Sequence, residues 1–240
     1  MKRMQQLLGF AVAAAVATCP LAAFAATGTV SQLSGTLSVK RPDGSIRILS
    51  QKSEIQTGDT LNTERDSYAQ IKFSDGGQVT MQPNSSVKVD NYKFSDEKPQ
   101  EDSFVYSLLK GGLRAVTGIV GKRSKEKYQL GTATATIGIR GTTLTANAEC
   151  HDDPKLPQCA NLPPAVYVGV LDGEIVVTNA QGQLALSAGQ FAQIRAGFAP
   201  AVFPFDPGLG VLLPSTFIQA VMHGLDRKQV ECAIGATTRR

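Results

Sequence analysis

"SYAQIKFSDGGQVTMQPNSSVKVD", residues 67 to 90, decides the fold class. Ala69, Ile71 and Phe73 alternate with polar residues, Asp75-Gly76-Gly77 turns the chain, and Val79 and Met81 resume the alternation. Pro83-Asn84-Ser85 turns it again before Val87 and Val89. A period of two with one apolar face predicts a β-meander that buries that face and leaves the other in solvent.

Toward the C-terminus the same pattern predicts strands over 104–109, 112–116, 127–131, 133–139 and 142–146, with no long amphipathic helix between them. Within "TIGIRGTTL", residues 136 to 144, the apolar residues change parity: Ala135, Ile137 and Ile139 are odd, Leu144 and Ala146 even. A parity change inside one strand means an inserted residue or a passage between sheets. Gly138 and Gly141 are expected to supply the backbone freedom for that corner, and Arg140 to clamp it by pairing with a carboxylate such as Asp172 or Asp59; contact with a ligand is its other reading.

An internal repeat frames the domain. "LSGTLSVKRPDGSIRI" from Leu33 aligns without a gap with "LDGEIVVTNAQGQLAL" from Leu171, pairing Gly35 with Gly173 and Gly44 with Gly182. Two copies are too few for a solenoid, so they are expected to open and close one β-domain, the second covering an edge left by the first. The fold class is therefore all-β, an antiparallel β-sandwich or β-roll made of hairpins, spanning 26–196. Residues 197–240 read as a Pro/Gly-rich linker and short helical tail, in which Ser215 caps a turn carrying Phe217, Ile218, Val221 and Met222, and Asp226 with Gln229 a second.

At the N-terminus Lys2 and Arg3 precede an apolar run, Pro20 and the small-residue pattern Ala23-Phe24-Ala25. These are the three parts of a secretory signal peptide over 1–25, cleaved after Ala25. Thr18 is a poor residue to precede a lipidated Cys19. No later stretch is long and apolar enough to span a bilayer, so the mature chain is expected to be periplasmic or secreted, without an integral membrane segment.

Removing the signal leaves 22 basic against 20 acidic residues, close to neutral. Aromatics are 6% and Trp is absent, which leaves little for a sugar-stacking groove or a base-stacking platform; no nucleic-acid partner is expected. One basic cluster, "GKRSKEK" at 121–127, offers Lys122, Arg123, Lys125 and Lys127 as a patch for anionic lipid, cell-wall polymer or an acidic partner. Its plainer reading is a solvated hairpin tip.

Cys150 and Cys159 lie in the polar, proline-containing stretch "CHDDPKLPQC", where a disulfide fits an oxidising compartment. The alternative is a metal site of Cys150, His151, Asp152, Asp153 and Cys159, whose spacing matches no zinc pattern; no metal and no cofactor are expected. Cys232 is left over. No G-x-S-x-G, H-E-x-x-H or P-loop is present, and no catalytic residue is assigned. The alternative activity, a secreted polysaccharide-acting enzyme, needs a carboxylate pair drawn from Asp59, Asp75, Asp172 and Glu174. A purely structural envelope protein is the remaining reading.

"ATIGIRGTT" resembles the hallmark A-x-(I/V)-G-(I/V)-R-G-T stretch of the FecR-like domain, named for the periplasmic regulator of iron-citrate uptake. "GTVSQLSGTLSV", "IQTGDTLNTERDSYAQIKFSDGGQVTMQPNSSVKV" and "LLKGGLRAVTG" resemble further blocks of that domain in the same order, over roughly residues 28 to 177. The resemblance implies an exported all-β module that relays or recognises rather than catalyses, with an envelope or outer-membrane protein or a cell-wall polymer as partner. On this resemblance Ile137, Gly138, Ile139, Arg140, Gly141 and Thr142 form a family motif with a structural role. The iron regulators carry a cytoplasmic anti-sigma segment and a membrane helix before the domain. This chain has a signal peptide there instead, which argues against direct control of a sigma factor.

Overall fold

The computed structural model describes residues 26–210. The expected signal peptide with Cys19, the expected tail helices around Ser215 and Asp226, and Cys232 lie outside the described residues. The strands in chain order are β1 (Gly28–Ser34), β2 (Leu37–Lys40), β3 (Ile46–Leu49), β4 (Glu54–Ile55), β5 (Thr60–Thr63), β6 (Tyr68–Phe73), β7 (Gln78–Met81) and β8 (Ser86–Lys93). After them come β9 (Ser103–Lys110), β10 (Gly112–Val116), the short helix α1 (Ile119–Arg123), β11 (Tyr128–Gly131), β12 (Thr136–Asn147), the short helix α2 (Glu149–Asp152), β13 (Val166–Asn179), β14 (Gly182–Ser187), β15 (Phe191–Ile194) and β16 (Ala201–Phe203).

All the strands belong to one curled sheet. Strands β3, β2, β5, β8, β9 and β11 form one layer, and β10, β7, β6, β1 and β4 the other. β12 joins the two. Its first half pairs with β11, its second half pairs with β10, and β13 runs antiparallel beside both halves. The all-β expectation holds, with one departure from all-antiparallel pairing: β11 lies parallel to β9. A parallel return needs a crossover of a dozen or more residues. That role falls to the segment after β10, so "GKRSKEK" is no hairpin tip; it forms α1 and a 3-10 turn over Lys125–Lys127.

The meander expected from residues 67 to 90 is half right. β6 and β7 form the predicted hairpin, with Ala69, Ile71 and Phe73 buried. β8 does not continue it but crosses to the other layer, pairing with β5 and β9. Ser85 fixes that crossing: its hydroxyl donates to the Gly112 carbonyl and accepts from the Gly112 amide, both at 2.9 Å. Other crossings stack beside it. The Thr36 amide donates to Ser67 Oγ at 2.9 Å, and the Asn84 amide to the Glu64 carbonyl at 3.2 Å. Corner amides are thus satisfied by neighbouring corners rather than by a ladder.

The repeated segments both fold as hairpins, β2–β3 and the second half of β13 with β14. Gly35 and Gly173 share the positive φ (82° and 81°) that bends the chain at each hairpin's start. The second turn differs: Gly44 has φ 84°, whereas Gly182 begins β14 and the Asn179 side chain caps the turn through the Gln181 and Gly182 amides. The second copy does not cover the first. Among the described residues β3 pairs only with β2 and β14 only with β13, so neither hairpin's outer strand is covered by the other copy. β16 pairs with β15 beyond residue 196, carrying the sheet into the segment expected to be an irregular or helical linker.

Inward residues of both layers form one core. Phe104 is its hub, fully buried, 4.5 Å from the Phe73 ring of the opposite layer and 5.1 Å, edge-on, from both Tyr92 and Tyr128. Burial pushes the Tyr92 hydroxyl up to about 12, and pushes Tyr106 and Tyr128 up as well. Tyrosines exposed by unfolding ionise near ~10. The folded state therefore holds these protons more tightly, and its stability falls as pH rises from about 10 toward the raised values. An absorbance titration at alkaline pH is expected to show these phenols ionising late and together with loss of structure, not singly near pH 10.

Candidate functional site

The "TIGIRGTTL" stretch builds the most developed surface feature. In β12 the odd residues Ile137 and Ile139 are fully buried, while Thr136, Gly138 and Arg140 face outward. At Gly141 the φ is 61° and the register with β13 shifts, after which Leu144 and Ala146 enter the core. The parity change is a bulge at the passage between layers. Only Gly141 of the two motif glycines needs the left-handed region. β13 bends beside it at Gly173, where an added Cβ would stand 2.7 Å from the Gly141 carbonyl oxygen.

Thr142, not Arg140, clamps the bend. Its amide donates to Thr117 Oγ1 at 2.9 Å, the Thr117 hydroxyl returns a bond to the Thr142 carbonyl at 2.6 Å, and the Thr142 hydroxyl donates to the Glu174 carbonyl at 2.7 Å. The carboxylates expected to hold Arg140 are elsewhere. Asp59 is buried against Arg41 at 3.2 Å and accepts from the Gln56 amide at 2.8 Å; burial raises its carboxyl above the usual range despite both contacts. Asp172 lies opposite Thr143 in the bulge and makes no ion pair among the described residues.

Arg140 is exposed and, among the described residues, has no ion-pair or hydrogen-bond partner. It stands at one end of an open groove of about 390 Å³ across β11, β12, β13 and β14. The register gives the groove its floor: Gln129, Gly138 and Val176 form one row across the strands, Thr136, Thr178 and Gln183 the next. Gly138 leaves the centre of this face without a side chain. A Cβ there would meet only the Val176 carbonyl oxygen, at 3.7 Å, so the glycine opens space rather than relieving strain. Glu126 closes one side, and Glu174 is the cross-strand neighbour of Arg140 without pairing to it. The Lys122 stem lies over the bulge, 3.8 Å from where a Gly141 Cβ would be.

A guanidinium fork, side-chain amides and hydroxyls, and a carboxylate at the rim suit a polar ligand with a carboxylate at the Arg140 end and amide groups along the floor. Sequence reading found Arg140 and Gly138 through the motif. It missed Gln129, Thr178 and Gln183, whose only signal is that alternation turns them outward; the pairing that aligns them is non-local.

The basic cluster is partly consumed. Arg123 reaches Asp96 at 3.4 Å and Asp102 at 3.9 Å, and the Lys127 ammonium donates to the Gln100 carbonyl at 2.5 Å. Lys125 lies in the 3-10 turn, and Lys122 is exposed and unpaired among the described residues. With Arg123 and Lys127 engaged, the cluster is not one free patch; the Lys122 stem lies over the bulge that follows Arg140.

Of the four carboxylates considered for catalysis, Asp59 and Asp75 are spent on structure, whereas Asp172 and Glu174 have no side-chain partner among the described residues. Asp75, buried, accepts from the Gly77 amide at 3.0 Å and the Val120 amide at 3.2 Å, tying α1 to the β6–β7 turn. Cys150 and Cys159 form a disulfide with Cα atoms 5.4 Å apart, which occupies both proposed sulfur ligands. It packs with Ala165, Tyr167, Phe203 and Leu209 in a second small core. Replacing both cysteines by serine is expected to lower unfolding free energy by about 2–3 kcal/mol, read by urea titration.

Geometry and sequence together define a rolled, two-layer β module whose joining strand carries the glycine motif. Residues 59–176 match the family model of the FecR protein, and the chain carries a FecR domain. No curated protein matches the sequence. Among solved structures, a proposed anti-sigma factor from Parabacteroides distasonis, at 1.65 Å resolution, is 12% identical with a TM-score of 0.46, over 69% of this chain and 65% of that one. This chain thus spans just under two thirds of that relative's length. A second proposed anti-sigma factor structure from the same organism is 15% identical with a TM-score of 0.46, over 70% of this chain and 73% of its own. A cell surface anchoring domain is 30% identical over 27% of this chain and 84% of its own, with a TM-score of 0.26. No helix among the described residues is long and apolar enough to cross a membrane, and the disulfide fits an oxidising compartment.

Proposed function

We propose that this chain is an exported, non-catalytic recognition module of the cell envelope, which binds a protein segment or cell-wall polymer in the groove at Arg140 and so serves signal relay. The FecR domain supports the signalling role, and the leader-like N-terminus with the disulfide supports export. The observation that carries the binding reading is Arg140 itself. A structural arginine is expected to bond to the bend it stabilises; this one leaves that work to Thr142 and stands, unpaired among the described residues, at the end of a groove lined by Gln, Thr and Glu side chains. A protein segment and a cell-wall peptide share the chemistry the groove would take, a carboxylate beside amides.

The test is affinity capture from a solubilised envelope extract, read by mass spectrometry, with the chain of residues 26–240 and its Arg140→Gln variant. A ligand held by wild type and at least about tenfold depleted by the variant, at equal melting temperature, is the expected result. The Lys122→Gln variant is expected to weaken capture less, since Lys122 does not line the groove. Retention of every captured species by Arg140→Gln would remove the groove from the account.

A further inference from the structure

A second concavity, of about 370 Å³, lies where the described chain begins, between Ala26 and Thr27 on one side and Tyr92, Phe94 and Asp102 on the other. Thr27 fixes the chain at its mouth: amide and hydroxyl both donate to the Ile55 carbonyl at 2.9 Å, and its carbonyl accepts from the Ser74 amide at 3.1 Å. Ala26 is therefore one residue from an anchored point. It is exposed and lines the cavity.

Asp102 is 1% exposed. Its Oδ1 accepts from the Ser95 amide at 2.9 Å, whereas Oδ2 is buried with no hydrogen-bond partner among the described residues. The nearest cation, Arg123, is 3.9 Å from Oδ2, beyond hydrogen-bonding distance, and turns both terminal nitrogens to Asp96 at 3.4 Å. The other charges at the cavity do not supply a donor. Glu101 pairs with Lys98 at 3.6 Å, Lys93 is exposed, and the Tyr92 hydroxyl is engaged by Ser74 and the Asp75 amide. A buried carboxylate oxygen without a donor is costly, and what satisfies it best is a cationic N–H group.

We propose that this cavity is a primary-ammonium site built around Asp102, and that the α-ammonium of Ala26 fills it once the leader is removed. The source rests on the signal-peptide reading; the site's chemistry does not. Before cleavage Ala26 offers one neutral amide N–H, after it three cationic donors. Processing thus supplies the hydrogen-bond donor that the second oxygen of this buried acid lacks, and the domain is completed by the step that releases it. A free small amine shares the chemistry and is the other source. An ammonium paired in the folded state has a raised pKa, so its stabilisation is present at pH 7 and lost as pH rises through that value.

Four measurements decide it. Mass spectrometry of the exported protein gives its first residue: Ala26 supports the proposal, and cleavage elsewhere overturns the N-terminal source. An NMR pH titration of the chain beginning at Ala26 is expected to place its amine about one unit or more above the ordinary ~7.7–8.0. N-acetylation, which leaves every side chain intact, is expected to lower the melting temperature by several degrees at pH 7. Asp102→Asn should abolish both differences, and Glu101→Gln should leave them if Asp102 is the receptor; this second variant serves if the first does not fold. Methylammonium titrated into the acetylated chain separates the sources. Shifts at Ser95 and Asp102 without any N-terminal effect would assign a free amine and overturn the Ala26 source, and no response to either would overturn the site.

Discussion

Gly173→Ala is expected to lower unfolding free energy by about 2–4 kcal/mol, the largest effect of any glycine at the bend. The φ of 81° disfavours any side chain, and the new Cβ would stand 2.7 Å from the Gly141 carbonyl oxygen. Backbone on both sides of that contact belongs to paired strands, so neither can move without breaking ladder bonds. The two motif glycines provide the scale. Gly141→Ala, at φ 61° with only the mobile Lys122 stem nearby, is expected to cost about 1 kcal/mol. Gly138→Ala is expected within about 0.5 kcal/mol of wild type, because its Cβ meets open groove. Urea titration of the three variants checks the order. Equal losses at Gly138 and Gly141 would mean that both serve the bend, as the sequence alone suggests.

Phe104→Ala is expected to cost about 3–5 kcal/mol. The ring contacts Phe73 across the layers, Tyr106 on its own strand, and Tyr92 and Tyr128 on neighbouring strands of its layer, so truncation opens a cavity whose walls belong to several strands. Such a cavity collapses poorly. The same variant is expected to let Tyr92 and Tyr128 ionise at lower pH than in wild type, since burial is the main cause of their raised values. Urea and alkaline titrations of one sample read both effects. A loss under about 1 kcal/mol would show that the layers do not rely on this hub.

What was legible in the sequence follows from the range of each interaction. Alternation is local, so Ala69, Ile71 and Phe73 announced their strand and its buried face, and the parity change announced the passage at residues 138 to 144. The repeat also read true as two hairpins bent by Gly35 and Gly173. Pairing between distant segments left no such mark. Nothing local distinguishes the Pro83 turn as a layer crossing rather than a third meander strand, because the difference lies in Ser85 meeting Gly112. For the same reason α1 passed for a hairpin tip: its anchor, Asp75, is 45 residues away from Val120. The groove was half legible. Arg140 and Gly138 stood in the motif, but that Thr142 would do the clamping depended on Thr117, brought to it by the β10–β12 pairing.

The central claim is that Arg140 faces a ligand rather than holding the fold. The most direct measurement compares wild type with Arg140→Gln for both melting temperature and capture of envelope components. The account predicts a melting temperature within about 2 °C of wild type together with loss of the captured ligand. A variant that unfolds early, or one that melts normally and retains every captured species, would contradict it.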